Sequence, residues 1–167
     1  MSLEKHYKTM AKYNAWMNER LYDLCATLPD ELRKKDLGAF FKSIHATLNH
    51  LLFGDRAWMN RFSGSNFKIG KMGEVIYDDF SELHAARKEM DAAILDWVET
   101  IREEWLLEKF TWRAADGVER TQTRLVLVTH MFNHQTHHRG QITTLLTQQG
   151  YDIGVTDIPK MPDVELL

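Results

Sequence analysis

Cysteine is nearly absent: Cys25 is the single one among 167 residues. That excludes an internal disulfide and any zinc site built from several thiolates. Cys25 falls beside Leu24 on a helical pattern and reads as a small core residue, not as a reactive thiol. A basic excess is missing too. The net charge is −3 with both signs interspersed, which disfavours a non-specific nucleic-acid binder. No apolar run approaches the roughly 20 residues of a membrane span. No charged-then-apolar signal segment opens the sequence, so the expected compartment is a reducing cytoplasm. Internal repeats and low-complexity segments are absent. So are the Glu-x-x-His pairs of carboxylate di-iron bundles, which argues for an imidazole-rich site over a ferritin-like one. The length suits one domain, residues 1–167, with one sizeable core.

What the chain does hold is histidine. Four of its eight lie in His130-Met131-Phe132-Asn133-His134-Gln135-Thr136-His137-His138-Arg139-Gly140-Gln141. His130, His134 and His138 are four apart. On a helix each step of four turns about 40° beyond a full circle, so these imidazoles form one slowly drifting stripe. Two histidines at i and i+4 can chelate one cation with little rearrangement. His137 lies about 100° around from His138 and does not easily share a metal with it. A third ligand from another helix makes an open three-His site, and His50, in the other His-dense segment, is the candidate. The plainer alternative is a capping, surface or hydrogen-bonded core histidine at each position. Three in phase, with a second cluster upstream, favour the metal.

The rest of the chain reads as helices. Residues 2–28 carry Leu3, Tyr7, Met10, Asn14, Met17, Leu21, Leu24 and Leu28 in unbroken 4-3 spacing, the seam of a helix packed at a shallow angle. Asn14 is the polar member of the seam, either register-setting or solvated, or facing a cavity. Pro29-Asp30 closes this helix, and 30–39 is a charged connection. The second helix, 40–62, has an apolar stripe of Phe41, Ile44, Leu48, Leu51, Leu52, Trp58, Met59 and Phe62. Beside it run Ser43, Thr47, His50, Gly54 and Ala57, whose small side chains leave either the space an open site needs or room for close helix packing. His45 is about 140° from His50 and serves another purpose. Asp55 falls on the apolar stripe, where an unpaired carboxylate is costly, so it requires a donor or a place near the site.

Residues 63–78 form a loop with Gly64, Gly70 and Gly73. Asp79-Phe80-Ser81-Glu82 resembles a capping box and opens a third helix ending near Trp105. Arg87, Lys88, Glu89 and Asp91 read as its solvated face. Residues 107–122 form a short hairpin or extended excursion around Ala115-Asp116-Gly117. The fourth helix spans 122–149, with Leu125, Val128, Phe132, Ile142, Leu145 and Leu146 toward the core and Gly150 as its stop. Gly140 inside it costs about 1 kcal/mol relative to Ala, which close approach of a neighbouring helix would offset. The tail from Tyr151 is expected to lie across the bundle, held by Ile153, Val155 and Ile158. Four helices with short connections make an all-α four-helix bundle.

Four segments resemble those of the DinB-like (damage-inducible) metal-binding four-helix bundles. They are residues 13–21 (Tyr13-Asn14-Ala15-Trp16 onward), 43–52 with Asp55 and Trp58 following, 133–141, and Thr156-Asp157-Ile158-Pro159. Together they span nearly the whole chain. The resemblance implies one divalent ion, zinc or nickel, held by one histidine of the second helix and two of the last. On this sequence those are His50, His134 and His138, and His130 is left as a pocket or supporting residue. It further implies up-up-down-down helices, a homodimer and, by likeness to bacillithiol- and mycothiol-dependent relatives, a low-molecular-weight thiol partner.

Three functions follow. An open three-His site suits a metal-dependent hydrolase or a thiol-dependent S-transferase acting on a small molecule. A closed coordination shell, with His130 as fourth ligand, suits a stress-induced metal or small-ligand binder without chemistry. A purely structural polar cluster is the third. Glu19, Asp55 and Tyr13 are the candidates for a general base.

Overall fold

The computed structural model describes residues 2–114 and 116–162. In chain order the elements are α1 (Leu3–Ala26), short α2 (Asp30–Lys34), α3 (Ile44–Ser63), α4 (Phe80–Thr100), short α5 (Glu103–Leu107), β1 (Lys109–Arg113), β2 (Glu119–Thr123), α6 (Arg124–Gln148) and a 3-10 turn, Ile158–Lys160. The four long helices form the bundle. Local chemistry sets their starts. Ser2, Ser43 and Asp79 each accept a hydrogen bond from a backbone N–H three residues on, satisfying a group the helix leaves free. The Ser43 cap starts α3 at Ile44, four residues later than the apolar spacing predicts. Phe41 therefore lies before the helix. The expected helix through Trp105 stops at Thr100, because Ile101 turns extended and is buried in the core. A separate α5 carries Trp105. The connection at 30–39 likewise contains a helical turn, α2.

Around the bundle, α1 lies beside α4 and α6, and α3 lies beside α4 and α6. Named contacts give the directions. Lys8 meets Glu99 and Asp23 approaches His84, so α1 and α4 are antiparallel. Trp58 meets His130 and His50 meets His138, so α3 and α6 are antiparallel. Tyr7 bonds Thr129 and Asn14 bonds Arg139, so α1 and α6 are parallel. His45 meets Phe80 and Phe62 stacks on Trp97, so α3 and α4 are parallel. The path is up-down-down-up, which corrects the up-up-down-down expectation. The physical reason is the loop 64–79, which is a crossover and not a short connection. It runs back along α3: Phe67 pairs with Asn60, the Lys68 carbonyl accepts from Arg56, and Tyr77 reaches His45 and Asn49. Asn49 holds both backbone groups of Tyr77, at 2.9 and 3.1 Å. This returns the chain to the starting end of α3 before α4 begins.

The interior is not wholly apolar. Arg87 and Asp91, read above as solvated, are 1% and 9% exposed. Arg87 Nη1 donates to Asp55 at 2.6 Å, and its Nη2 lies 2.8 Å from Asp91. Asp91 accepts from Asn18 at 2.9 Å and from Asn14 at 3.4 Å. Arg139 donates to Asn14, Asn18 and Gln135. The expected donor for Asp55 is thus Arg87, and Asn14 is a buried network member. Phase on the helix, with Arg87 four after Leu83 and three before Met90, overrides the charge of the residue type. Burial pushes the Asp91 carboxyl up to about 6 against the opposing pull of Arg87, and pushes Arg139 down to about 10. Cys25 is buried with its thiol raised to about 12 by that burial, a core residue as expected.

The hairpin pairs Lys109–Arg113 with Glu119–Thr123 in antiparallel register. Gly117, at φ +79°, closes its turn, and Ala115 of that turn lies outside the described residues, as do 163–167. Trp112 and Phe110 pack on Trp58 and Phe62 of α3. The tail is held differently from expectation. Ile153 packs on the core, but Val155 is 54% exposed and Ile158 is at the surface. Arg20 donates to the carbonyls of Ile153 and Val155, Tyr13 donates to that of Thr156 at 2.7 Å, and Met161 is buried against Tyr13 and Met17.

Gly140 also departs from expectation. It is exposed, and a Cβ built there meets nothing within 4 Å among the described residues, none of whose helices needs the glycine. Gly140→Ala is therefore expected to stabilise the protein by about 0.5–1 kcal/mol, through helix propensity alone. Urea unfolding checks this, with a higher midpoint at unchanged slope.

Candidate metal centre

Antiparallel α3 and α6 place His50 opposite the α6 stripe. His50, His134 and His138 each offer a ring nitrogen, and the three nitrogens lie within 4.8 Å of one another. His50 Nε2 and His134 Nε2 are 2.9 Å apart. Around one zinc ion, with Zn–N of about 2.0–2.1 Å, ligand nitrogens stand roughly 3.3 Å from each other. One spacing of 2.9 Å, with all three nitrogens inside 4.8 Å, is within a small side-chain adjustment of that distance, so the residues fit a single ion. Among the described residues no carboxylate or cysteine joins this cluster.

Neighbours fix each ring. His138 donates Nδ1–H to Gln141 Oε1 at 2.7 Å, which sets the tautomer that leaves Nε2 free as a ligand. His50 stacks on Phe41, with ring centroids 3.9 Å apart, and more distantly on Phe53. Its one hydrogen-bonding contact is the imidazole of His134, and its buried Nδ1 has no partner among the described residues. A shared ion would give both facing Nε2 atoms an acceptor for their lone pairs. His134 owes its place to Gly54: a Cβ there would stand 2.9 Å from His134 Cε1. The small residues of α3 thus make room for an imidazole of the facing helix.

Burial keeps the cluster neutral. It lowers the His134 pKa to about 3 and that of His50 to about 4, with His138 as the next contributor in each case. His138 is lowered by burial as well, in part offset by Gln141. Neutral imidazole is the metal-binding form.

The remaining candidates lie apart. His130, one turn along α6, packs against Trp58 and stands outside the three-nitrogen cluster. His137 is exposed beside Gln141. His45 bonds the Tyr77 carbonyl at 2.8 Å. Of the possible bases, Asp55 is committed to Arg87, Tyr13 to the tail, and Glu19 lines a groove between α1 and α4. Sequence reasoning missed Gln141 and Phe41. Gln141 stands three residues after His138 on one helix face, a spacing that carries the signal.

The model of the DinB family matches residues 1–165. The chain belongs to the DinB family. It is 26% identical over 155 residues to Protein DinB of Bacillus subtilis, covering 87% of each chain. Its fold is similar to that of a DinB-like protein crystallised from Bacillus cereus, with a TM-score of 0.64 and 16% identity over 84% of this chain and 90% of the other. Among the described residues no helix is long and apolar enough to cross a membrane.

The neutral histidines of this DinB chain link stability to pH. Unfolded, each titrates near 6.5; folded, two of them titrate near 3 and 4. Below pH 6.5 the unfolded chain binds more protons, so the metal-free protein is expected to lose stability from pH 6.5 downward, through pH 4. Asp91 opposes this. Its raised pKa contributes stability below its ordinary value of 3.8 that is lost as pH rises through about 6. Comparison with His134→Gln isolates the histidine contribution: thermal midpoints measured between pH 7.5 and 4 fall less steeply in that variant.

Proposed function

We propose that this protein binds one divalent cation, zinc or nickel, through His50, His134 and His138. We further propose that it acts as a metal-dependent hydrolase or thiol-dependent S-transferase on a small molecule. The carrying observation is the convergence of three neutral ring nitrogens within 4.8 Å, two from α6 and one from α3. Three protein ligands leave positions for an exogenous ligand, the arrangement of catalytic more than of structural zinc. The bound ion would supply a Lewis acid that polarises an oxygen and lowers the pKa of a water or thiol. The chain's own residues do the rest. Gln141 orients His138, Gly54 admits His134, and the aromatic rings of Phe41 and Phe53 shield His50 from water. A low-molecular-weight thiol enters as co-substrate through the resemblance to thiol-dependent DinB-like bundles, since a three-His site by itself suits water as well. The same reading takes residues 1–167 as one domain, working as a cytoplasmic homodimer.

A second reading, a stress-induced metal or small-ligand binder, draws on one observation: none of Asp55, Glu19 and Tyr13 is free to act as acid or base beside the cluster. The two part on turnover. Metal-loaded protein is assayed with a panel of thiols and electrophiles, and of esters and amides. Conjugation or hydrolysis supports the enzyme, and none across the panel supports the binder.

Protein prepared without nickel-affinity purification is expected to carry about one equivalent of metal by elemental analysis. His134→Ala should lower affinity by at least about 100-fold, more than loss of a supporting contact does. Full metal content in that variant sinks the assignment. Gly54→Ala is expected to fold normally, because His134 swings aside, yet to weaken metal binding on the order of tenfold; competition with a fluorescent chelator measures it.

A further inference from the structure

The turn before α3 carries two phenylalanines of opposite fate. Phe41 is half-buried, stacked on His50 at 3.9 Å and edge-on to His138 at 5.5 Å. Phe40 packs edge-on to Phe41 at 4.8 Å and is 79% exposed, the most exposed of the large hydrophobic residues described. One exposed phenylalanine is ordinary on a protein surface. Its setting is what singles it out. The turn is tied by Lys42 N–H to the Ala39 carbonyl at 2.7 Å and by Leu37 N–H to the Lys42 carbonyl at 2.8 Å. Lys42 sits at φ +67°, the one non-glycine residue with positive φ among those described. That conformation is unfavourable for a lysine and is held only where surrounding contacts over-determine it. The turn places Phe40 one ring removed from the metal-ligand candidates, with Phe41 between. Phe53 adds a further ring near His50, with centroids 6.1 Å apart.

Resting on the proposed metal site, we propose that Phe40 is its recognition element, selecting ligands that carry an aromatic group beside the atom that meets the metal. A planar ring arriving at the cluster would cover the exposed face of Phe40. The uncovered apolar area and the aromatic pairing both favour that; the pairing is confined to a ring, and a small hydroxylated aliphatic ligand covers little of the area. The occupant is inferred to be a small molecule and not a protein because Phe40 continues, through Phe41, directly onto the imidazoles.

The test uses the full chain loaded with cobalt(II), whose absorption reports ligands at the metal. Benzenethiol and 2-mercaptoethanol are titrated separately against wild type, Phe40→Ser and Phe40→Leu. Phe40→Ser is expected to weaken benzenethiol roughly two- to tenfold, the size of one aromatic pairing. It should leave 2-mercaptoethanol unchanged, with Phe40→Leu intermediate. Comparing each thiol with itself across variants removes the difference in thiol acidity. Unchanged benzenethiol affinity in Phe40→Ser overturns the proposal, and so does an equal loss for both thiols. If sedimentation shows that Phe40→Ser dissociates a dimer while the thiol affinities stay put, Phe40 belongs to self-association and the proposal is overturned. Wild type that takes up no cobalt refutes the metal site itself, and this inference with it, a result distinct from all of these.

Discussion

Arg87 is the constraint on which the bundle turns. It sits in the interior with Asp55 on one side and Asp91 on the other. A guanidinium taken out of water is tolerable only with such partners, and the carboxylates need it equally, since breaking a buried pair costs about 3–5 kcal/mol. The pair to Asp55 fixes α4 against α3. Asp91 extends the hold to α1 through Asn18 and Asn14, and Arg139 extends it to α6. Every long helix contributes, so neither axial slip nor rotation of one helix is free. The consequence reaches the histidines through adjacency. Gln135 follows His134 and Arg139 follows His138. Gln135 donates to the Leu51 carbonyl at 3.2 Å, and Arg139 reaches the asparagines of α1. The inward polar face of α6 thereby sets the rotation at which the imidazoles meet His50.

This division of labour separates charge from the candidate centre. Carboxylates occupy the network, where guanidinium groups balance them, and the cluster facing Gly54 and Phe41 is imidazole alone. Neutral ligands do not cancel the charge of a divalent ion, so an anionic ligand from solution is favoured at the positions they leave. Carboxylates among the ligands would blunt that preference.

Much of this was legible in the sequence, for reasons that differ by residue. His134 and His138 were readable because a spacing of four survives any packing of the helix. His50 was readable from its small neighbours, although their meaning changed: Gly54 provides room for His134, not an open space. Arg87 and Asp91 were misread because four charged residues in five invite the label of a solvated face, while their phase with Leu83, Met90 and Ile94 already put them inside. The helix directions were not legible. They depend on the crossover 64–79, whose hydrogen bonds to Asn49, Arg56 and Asn60 have no periodic signature. Gly140 misled for another reason: propensity assigns it a cost, and nothing among the described residues compensates.

The whereabouts of the acidic residues also discriminates between the two proposed chemistries. Cleaving an amide requires a proton for the departing nitrogen, and a group that holds one at neutral pH beside the bond. Asp55, Asp91 and Glu19 lie in the network or in the α1–α4 groove, and burial keeps the imidazoles of the cluster unprotonated. A thiol makes the opposite demand, for it must lose a proton. His130, one turn from His134 with ring centroids 5.9 Å apart, is itself shifted by burial toward the neutral form, which accepts a proton and, once charged, can return it. A thiol asks only for the first of these steps, and an amide for both. Of the two proposed chemistries, thiol transfer therefore makes the smaller demand on the residues around the cluster.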